Sequence, residues 1–174
     1  RRLRLSSSMA TRFAAASATR NASARGTMTM PSSSATTTSP GSTRWLAQMT
    51  RCIFQAGFVW RVVDHKWDGF EDVFFGFPPE KIVMLSPEQI DRFAQNPRII
   101  RNRQKVFSVQ ANARFILDIS AAHGSFGKFI GNWPAQDLIG LFDLLKTRGS
   151  RLGGMTGQRV LRNMGKDTFI VTAD

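Results

Sequence analysis

The chain is expected to be all-α. Apolar residues recur at three- and four-residue intervals in one segment after another, which is helical spacing. No stretch alternates apolar and polar in the manner of a half-buried strand. Glycine, proline and capping residues break the segments at short intervals, as antiparallel helices with brief connections require. A length of 174 residues suits one domain, and 14 Phe with 4 Trp supply large apolar side chains for its core. The single cysteine, Cys52, excludes an internal disulfide and an all-cysteine zinc site. No apolar run approaches the roughly 18 residues of a membrane span.

Charge is spread unevenly. Residues 1–43 hold six arginines, no acid and 18 Ser or Thr, and show no apolar periodicity. Such a segment buries too little to offset the entropy of ordering, so 1–43 is expected to be a disordered basic leader, with the folded domain at 44–174. The leader reads as an organellar transit peptide, or as a wrong start or reading-frame error upstream of the real domain. The net charge of +12, about +6 of it within 44–174, favours a polyanionic partner such as DNA or RNA. A basic surface without a partner is the plainer reading.

From Trp45, residues Leu46, Met49, Ile53, Ala56, Trp60 and Val63 predict an amphipathic helix of about 18 residues. Residues 69–79 form a short helix ended by prolines. Ser86-Pro87-Glu88-Gln89 is a capping box for a helix running to about Gln95, which Asn96-Pro97 closes. A long helix follows, with Ile99, Val106, Val109, Ala113 and Ile116 on one stripe and a basic opening of Arg98, Arg101, Arg103 and Lys105. A basic helix end is ordinarily a solvated face. His123 to Gly127 is a loop, and Phe126, Phe129 and Trp133 form an aromatic cluster ending at Pro134. His65 and His123 read as surface histidines. A helix from Asp137 to Arg148 turns Leu138, Leu141, Phe142 and Leu145 to one face, with Gly149 as its stop.

The last stretch, Gly149 to Asp174, reads as a glycine-rich turn, a short amphipathic helix, a glycine stop, an extended run and an acid. Gly153, Gly154 and Gly157 allow positive φ and close approach. Amides at such a turn, leading into a helix N-terminus, make a phosphate site, which Arg151 and Arg159 flank.

This arrangement resembles the helix-hairpin-helix of the DNA base-excision glycosylases, with Leu152-Gly153-Gly154 in place of their Leu-Pro-Gly and the second glycine one residue late, at Gly157. Lys166-Asp167-Thr168-Phe169 leading to Asp174 is similar to the run that precedes the catalytic aspartate of the alkylbase members. Gln158 stands where strand-cutting members have lysine. Gln55-Ala56-Gly57-Phe58-Val59-Trp60 and Ile99-Ile100-Arg101-Asn102-Arg103-Gln104-Lys105, followed by Asn112-Ala113-Arg114, resemble runs of the bacterial 3-methyladenine DNA glycosylases of the first type. That family has glutamate where this chain has Cys52, and it has a Cys/His zinc site and N-terminal tyrosines that are not visible here.

The resemblance covers about residues 44–174. It implies a two-lobed fold of some seven helices with the hairpin at the cleft. The implied activity is monofunctional removal of alkylated purines, most of all 3-methyladenine, from double-stranded DNA. It assigns Asp174 as the catalytic acid and Trp60, Phe54 and Gln55 as base-binding residues. Arg151, Gly153, Gly154, Gly157, Arg159, Arg101 and Arg103 would bind DNA. No metal or cofactor is expected, and a monomer is. The location implied is the bacterial cytoplasm with its nucleoid, or a mitochondrion or plastid if the leader is genuine. In the family a helix follows the aspartate and holds it, so a chain ending at Asp174 is expected to be weakly active or inactive. Without the resemblance, Trp60 reads as a core aromatic and Asp167 as an exposed turn residue. Two other readings stay open: a helix-hairpin-helix module that binds DNA without catalysis, and a damaged coding fragment.

Overall fold

A computed structural model describes residues 40–168, so residues 1–39 of the leader and residues 169–174, Asp174 among them, lie outside the described residues. The described residues contain nine α-helices and no strand, so the all-α class holds. In order they are α1 (Pro40–Gln55), α2 (Trp60–His65), α3 (Trp67–Val73), α4 (Pro79–Val83), α5 (Pro87–Gln95), α6 (Arg103–His123), α7 (Phe126–Gly131), α8 (Leu138–Arg148) and α9 (Met155–Asn163). A single 3-10 turn, Ala135–Asp137, leads into α8.

Nine helices replace the expected seven or so because breaks fall inside expected elements. The helix expected from Trp45 starts earlier, at Pro40, and stops at Gln55, because Gly57 takes a φ of 76° that an α-helix cannot accommodate. Trp60 therefore opens a second helix instead of continuing the stripe of the first. The segment 69–79 divides where Phe75, Gly76 and Phe77 all adopt positive φ (55°, 74° and 64°). Two non-glycine residues in that region carry strain. Phe77 is held there by stacking on Trp67 and Phe74, with ring centroids 5.5 and 5.4 Å apart.

The capping box is present as read: the Gln89 amide donates to Ser86 Oγ at 3.3 Å and the Ser86 amide to Gln89 Oε1 at 2.8 Å. The long helix starts at Arg103, not at Ile99, because Asn102 caps it by accepting from the Lys105 amide at 3.1 Å. Gly149 does stop α8, but with an extended backbone instead of a left-handed one. A Cβ there would lie 2.5 Å from the Leu145 carbonyl oxygen and 2.6 Å from Leu152 Cδ1, so close approach is what calls for glycine.

Helix α6 is the axis of the domain. It buries Val106, Val109, Ala113, Phe115, Ile116 and Ile119 against α1, α4, α5 and α7. Helix α1 presents Leu46, Met49 and Ile53 to this core and also packs on α9. Helices α8 and α9 form the hairpin pair, joined through Leu152, which is buried.

Candidate functional site

Two clefts open where α1, the α1–α2 loop and α9 meet. The first, about 520 Å³, is lined by Gln48, Arg51, Gln55, Trp60, Arg159, Arg162 and Asn163. The second, about 480 Å³, runs along Gln55 to Trp60 on one side and Met155, Thr156 and Arg159 on the other. Gln55, Trp60 and Arg159 belong to both. The break at Gly57 is what creates this arrangement. It turns Phe58, Val59 and Trp60 out of the core stripe, so Trp60 is 52% exposed. The plain core-aromatic reading of Trp60 fails on that number.

Arg159 lies over the indole of Trp60, its guanidinium carbon 4.5 Å from the ring centroid. This cation–π contact is worth about 0.5–1 kcal/mol at an exposed site. Gln55 is nearly buried yet reaches both clefts. Phe54 is different: it is fully buried, edge-on to Phe70 at 4.6 Å, and offers no face to a ligand. Helix geometry explains the difference, since Phe54 shares the core face with Ile53 and Leu46, whereas Gln55 lies on the side of Gln48 and Arg51.

Cys52 sits beneath the first cleft. Its sulfur accepts from Gln48 Nε2 at 3.3 Å and from Asn163 Nδ2 at 3.7 Å. Burial pushes the thiol above its ordinary pKa, an effect that the Gln48 bond and nearby arginine charges only partly offset. Cys52 is thus a neutral thiol fixing two carboxamides of the cleft wall, neither nucleophile nor carboxylate.

The hairpin is fastened from α6. Asn112, fully buried, donates to the Ser150 carbonyl at 3.0 Å and accepts from the Ser150 amide at 2.7 Å. Next to it, Arg151 has φ 60° and its guanidinium donates to Gln104 Oε1. Gly154, with φ 59° and ψ −139°, is the N-cap of α9 in a conformation open essentially to glycine alone. No side chain caps α9, so its first amides face outward in the way that suits an anion. Gly157 is not part of that surface. It is buried in α9, and its α-carbon abuts the Leu152 carbonyl. The close approach it allows is to its own hairpin.

The basic opening of α6 is mostly engaged. Arg103 donates to Asp91 at 2.6 and 3.1 Å and lies over Phe107, and Arg98 pairs with Asp72. Arg101 is exposed. Lys105, expected on a solvated face, is buried. Gln158 is also buried, within α9. Asp167 is exposed, as read. Among the described residues no three His, Cys, Asp or Glu come together in a way that would hold a metal. No described helix is long and apolar enough to cross a membrane.

Sequence reasoning missed Gln48, Arg51, Arg162 and Asn163 as cleft residues. The signal was available. Gln48, Arg51 and Gln55 follow one another by three and four on α1, and Arg162 and Asn163 lie three and four residues after Arg159 on α9, so each set forms one polar helix face.

Comparisons with known proteins agree with this architecture. The chain is 33% identical to the DNA-3-methyladenine glycosylase of Haemophilus influenzae over 76 residues, which is 44% of this chain and 41% of that protein. The match therefore spans well under half the length of that relative. A solved 3-methyladenine DNA glycosylase I in complex with 3-methyladenine superposes with a TM-score of 0.64 at 27% identity, covering 72% of this chain and 77% of that one. The Staphylococcus aureus enzyme of the same name gives 0.63 at 27% identity with the same coverage. The methyladenine glycosylase family model matches residues 39–140, from the start of α1 into α8, and with more than half its length so matched, this chain belongs to that family.

Proposed function

We propose that the protein is a monofunctional DNA glycosylase, acting as a monomer, that hydrolyses the N-glycosidic bond of alkylated purines, 3-methyladenine foremost, in double-stranded DNA. One observation carries the reading. The half-exposed indole of Trp60 and the uncapped first turn of α9 line the same cleft, at Trp60, Met155 and Thr156. A phosphate held at that turn therefore places the neighbouring nucleotide, once flipped from the stack, beside an aromatic face. Gly153, Gly154 and the exposed Arg151 and Arg101 would grip the backbone, and Arg103 would exchange Asp91 for a phosphate, since an exposed ion pair is worth little. An electron-rich indole suits the cationic ring of an alkylated purine. Arg159 already covers one face of Trp60, so the base takes the other face or displaces the guanidinium. A solved relative holding 3-methyladenine supports this choice of lesion.

Such a base is a good leaving group, so one carboxylate near the sugar suffices, and Asp174 is assigned that role as electrostatic stabiliser or as base for a water. A second reading, a hairpin that binds duplex DNA without chemistry, is favoured by the three arginines of the first cleft and by Cys52 in place of a glutamate. Asp174→Asn separates the two. For a glycosylase, base release falls at least tenfold while affinity for undamaged duplex stays level or rises slightly. If release persists undiminished, the role of Asp174 is wrong.

A further inference from the structure

Lys105 breaks two rules at once. It is 6% exposed, and it lies in the first turn of α6, where the helix dipole disfavours a cation. Burial lowers its pKa, and the like charge of Arg151 lowers it further. A charged group is retained in such a place only where specific bonds compensate it. Here the compensation comes from α1, 49 residues away in sequence. Lys105 Nζ donates to the Ala56 carbonyl at 2.6 Å and to the Phe54 carbonyl at 3.3 Å. These are carbonyls that the end of α1 leaves without helical partners, at the negative pole of that helix. The ammonium also lies 4.8 Å from the centroid of Phe58, across the Gly57 turn.

The ammonium thus clamps both sides of the break that turns Trp60 outward. The same stretch of α6 reaches the hairpin, because Gln104 accepts from Arg151. We propose that Lys105 is a positioning residue for base recognition: it fixes the Gln55–Trp60 loop, in register with the hairpin, without touching the base. The proposal rests on the glycosylase reading for its effect on activity, but its structural half does not. The amides of Ala56 and Phe58 in the loop, and of Val62 in the first turn of α2, are hydrogen-bonded to Cys52, Gln55 and Val59 respectively, and report on the loop and its exit.

The test compares wild type, Lys105→Met and Lys105→Arg in the full chain. Methionine keeps the length and apolar stem but loses the charge and the donors. Amide exchange at residues 56–62 should quicken at least tenfold in Lys105→Met while the core of α6 exchanges as before, and Lys105→Arg should restore most of the protection. Release of 3-methyladenine should fall about tenfold in Lys105→Met, with affinity for undamaged duplex within twofold of wild type. Unchanged exchange at 56–62, or equal quickening throughout the chain, would overturn the proposal. So would unchanged release. If wild type itself releases no base, the glycosylase reading fails, and loop exchange alone decides the positioning claim.

Discussion

Trp60→Ala should slow release of an alkylated base from duplex DNA by about 10- to 100-fold while leaving the fold intact. The side chain is 52% exposed, so truncation opens no sealed cavity, and the expected stability change is within about 1 kcal/mol. What is lost is the face on which the proposed flipped base would rest. Base–aromatic stacking is worth about 1–3 kcal/mol per base by alanine substitution, which converts to roughly 5- to 150-fold. Arg159 loses its seat in the same stroke, since its guanidinium rests on that ring. Affinity for undamaged duplex should change little, because the phosphate contacts proposed at the hairpin would supply most of it. Single-turnover release beside duplex binding checks this. Parallel loss of both would mean that Trp60 supports the hairpin instead of the base.

Gly157→Val should have the largest effect on stability. A Cβ at this position lies 2.3 Å from the Leu152 carbonyl oxygen and 3.3 Å from Leu145 Cδ1. The first neighbour is backbone, which cannot rotate away, so α9 must shift off the hairpin. Overpacking of this kind costs about 1–3 kcal/mol and occasionally more. Against that, replacing glycine inside a helix regains under 1 kcal/mol. A net loss of about 1–2 kcal/mol is expected, with a fall in Tm of roughly 5–10 °C. Duplex affinity should fall too, because the uncapped first turn of α9, the proposed phosphate site, moves with the helix. Gly154→Ala is the informative contrast. Nothing lies within 4 Å of its added Cβ, so its cost comes from backbone conformation alone. If thermal unfolding ranks Gly154→Ala as the worse of the two, the tight seat of Gly157 is not what holds α9.

How far the sequence could be read depended on whether a signal was local. Caps, stops and apolar stripes are local, so the Ser86–Gln89 box, the end at Asn96 and the buried pair Leu141 and Leu145 were legible. The break at Gly57 was not, because Ala56, Trp60 and Val63 continue the helical spacing across it. A single glycine decides between one helix and two only through what clamps its flanks. Those clamps are long-range: Lys105 to Phe54 and Ala56, and Arg159 over Trp60. Periodicity also identifies a face without saying what covers it. Phe54 and Gln55 are adjacent in sequence, yet one belongs to the core and the other to a cleft. Gly157 shows the same limit, since a glycine demanded by close approach does not say whether the neighbour is a ligand or the chain itself.

The central claim is that a base leaves DNA in the cleft shared by Trp60 and the start of α9. Its most direct test is to incubate the protein with methylated duplex DNA and identify what is freed. The account predicts free 3-methyladenine, released in preference to intact adenine and leaving an uncleaved abasic strand. Duplex that is bound, with no base released, would contradict it and leave a hairpin that grips DNA without chemistry.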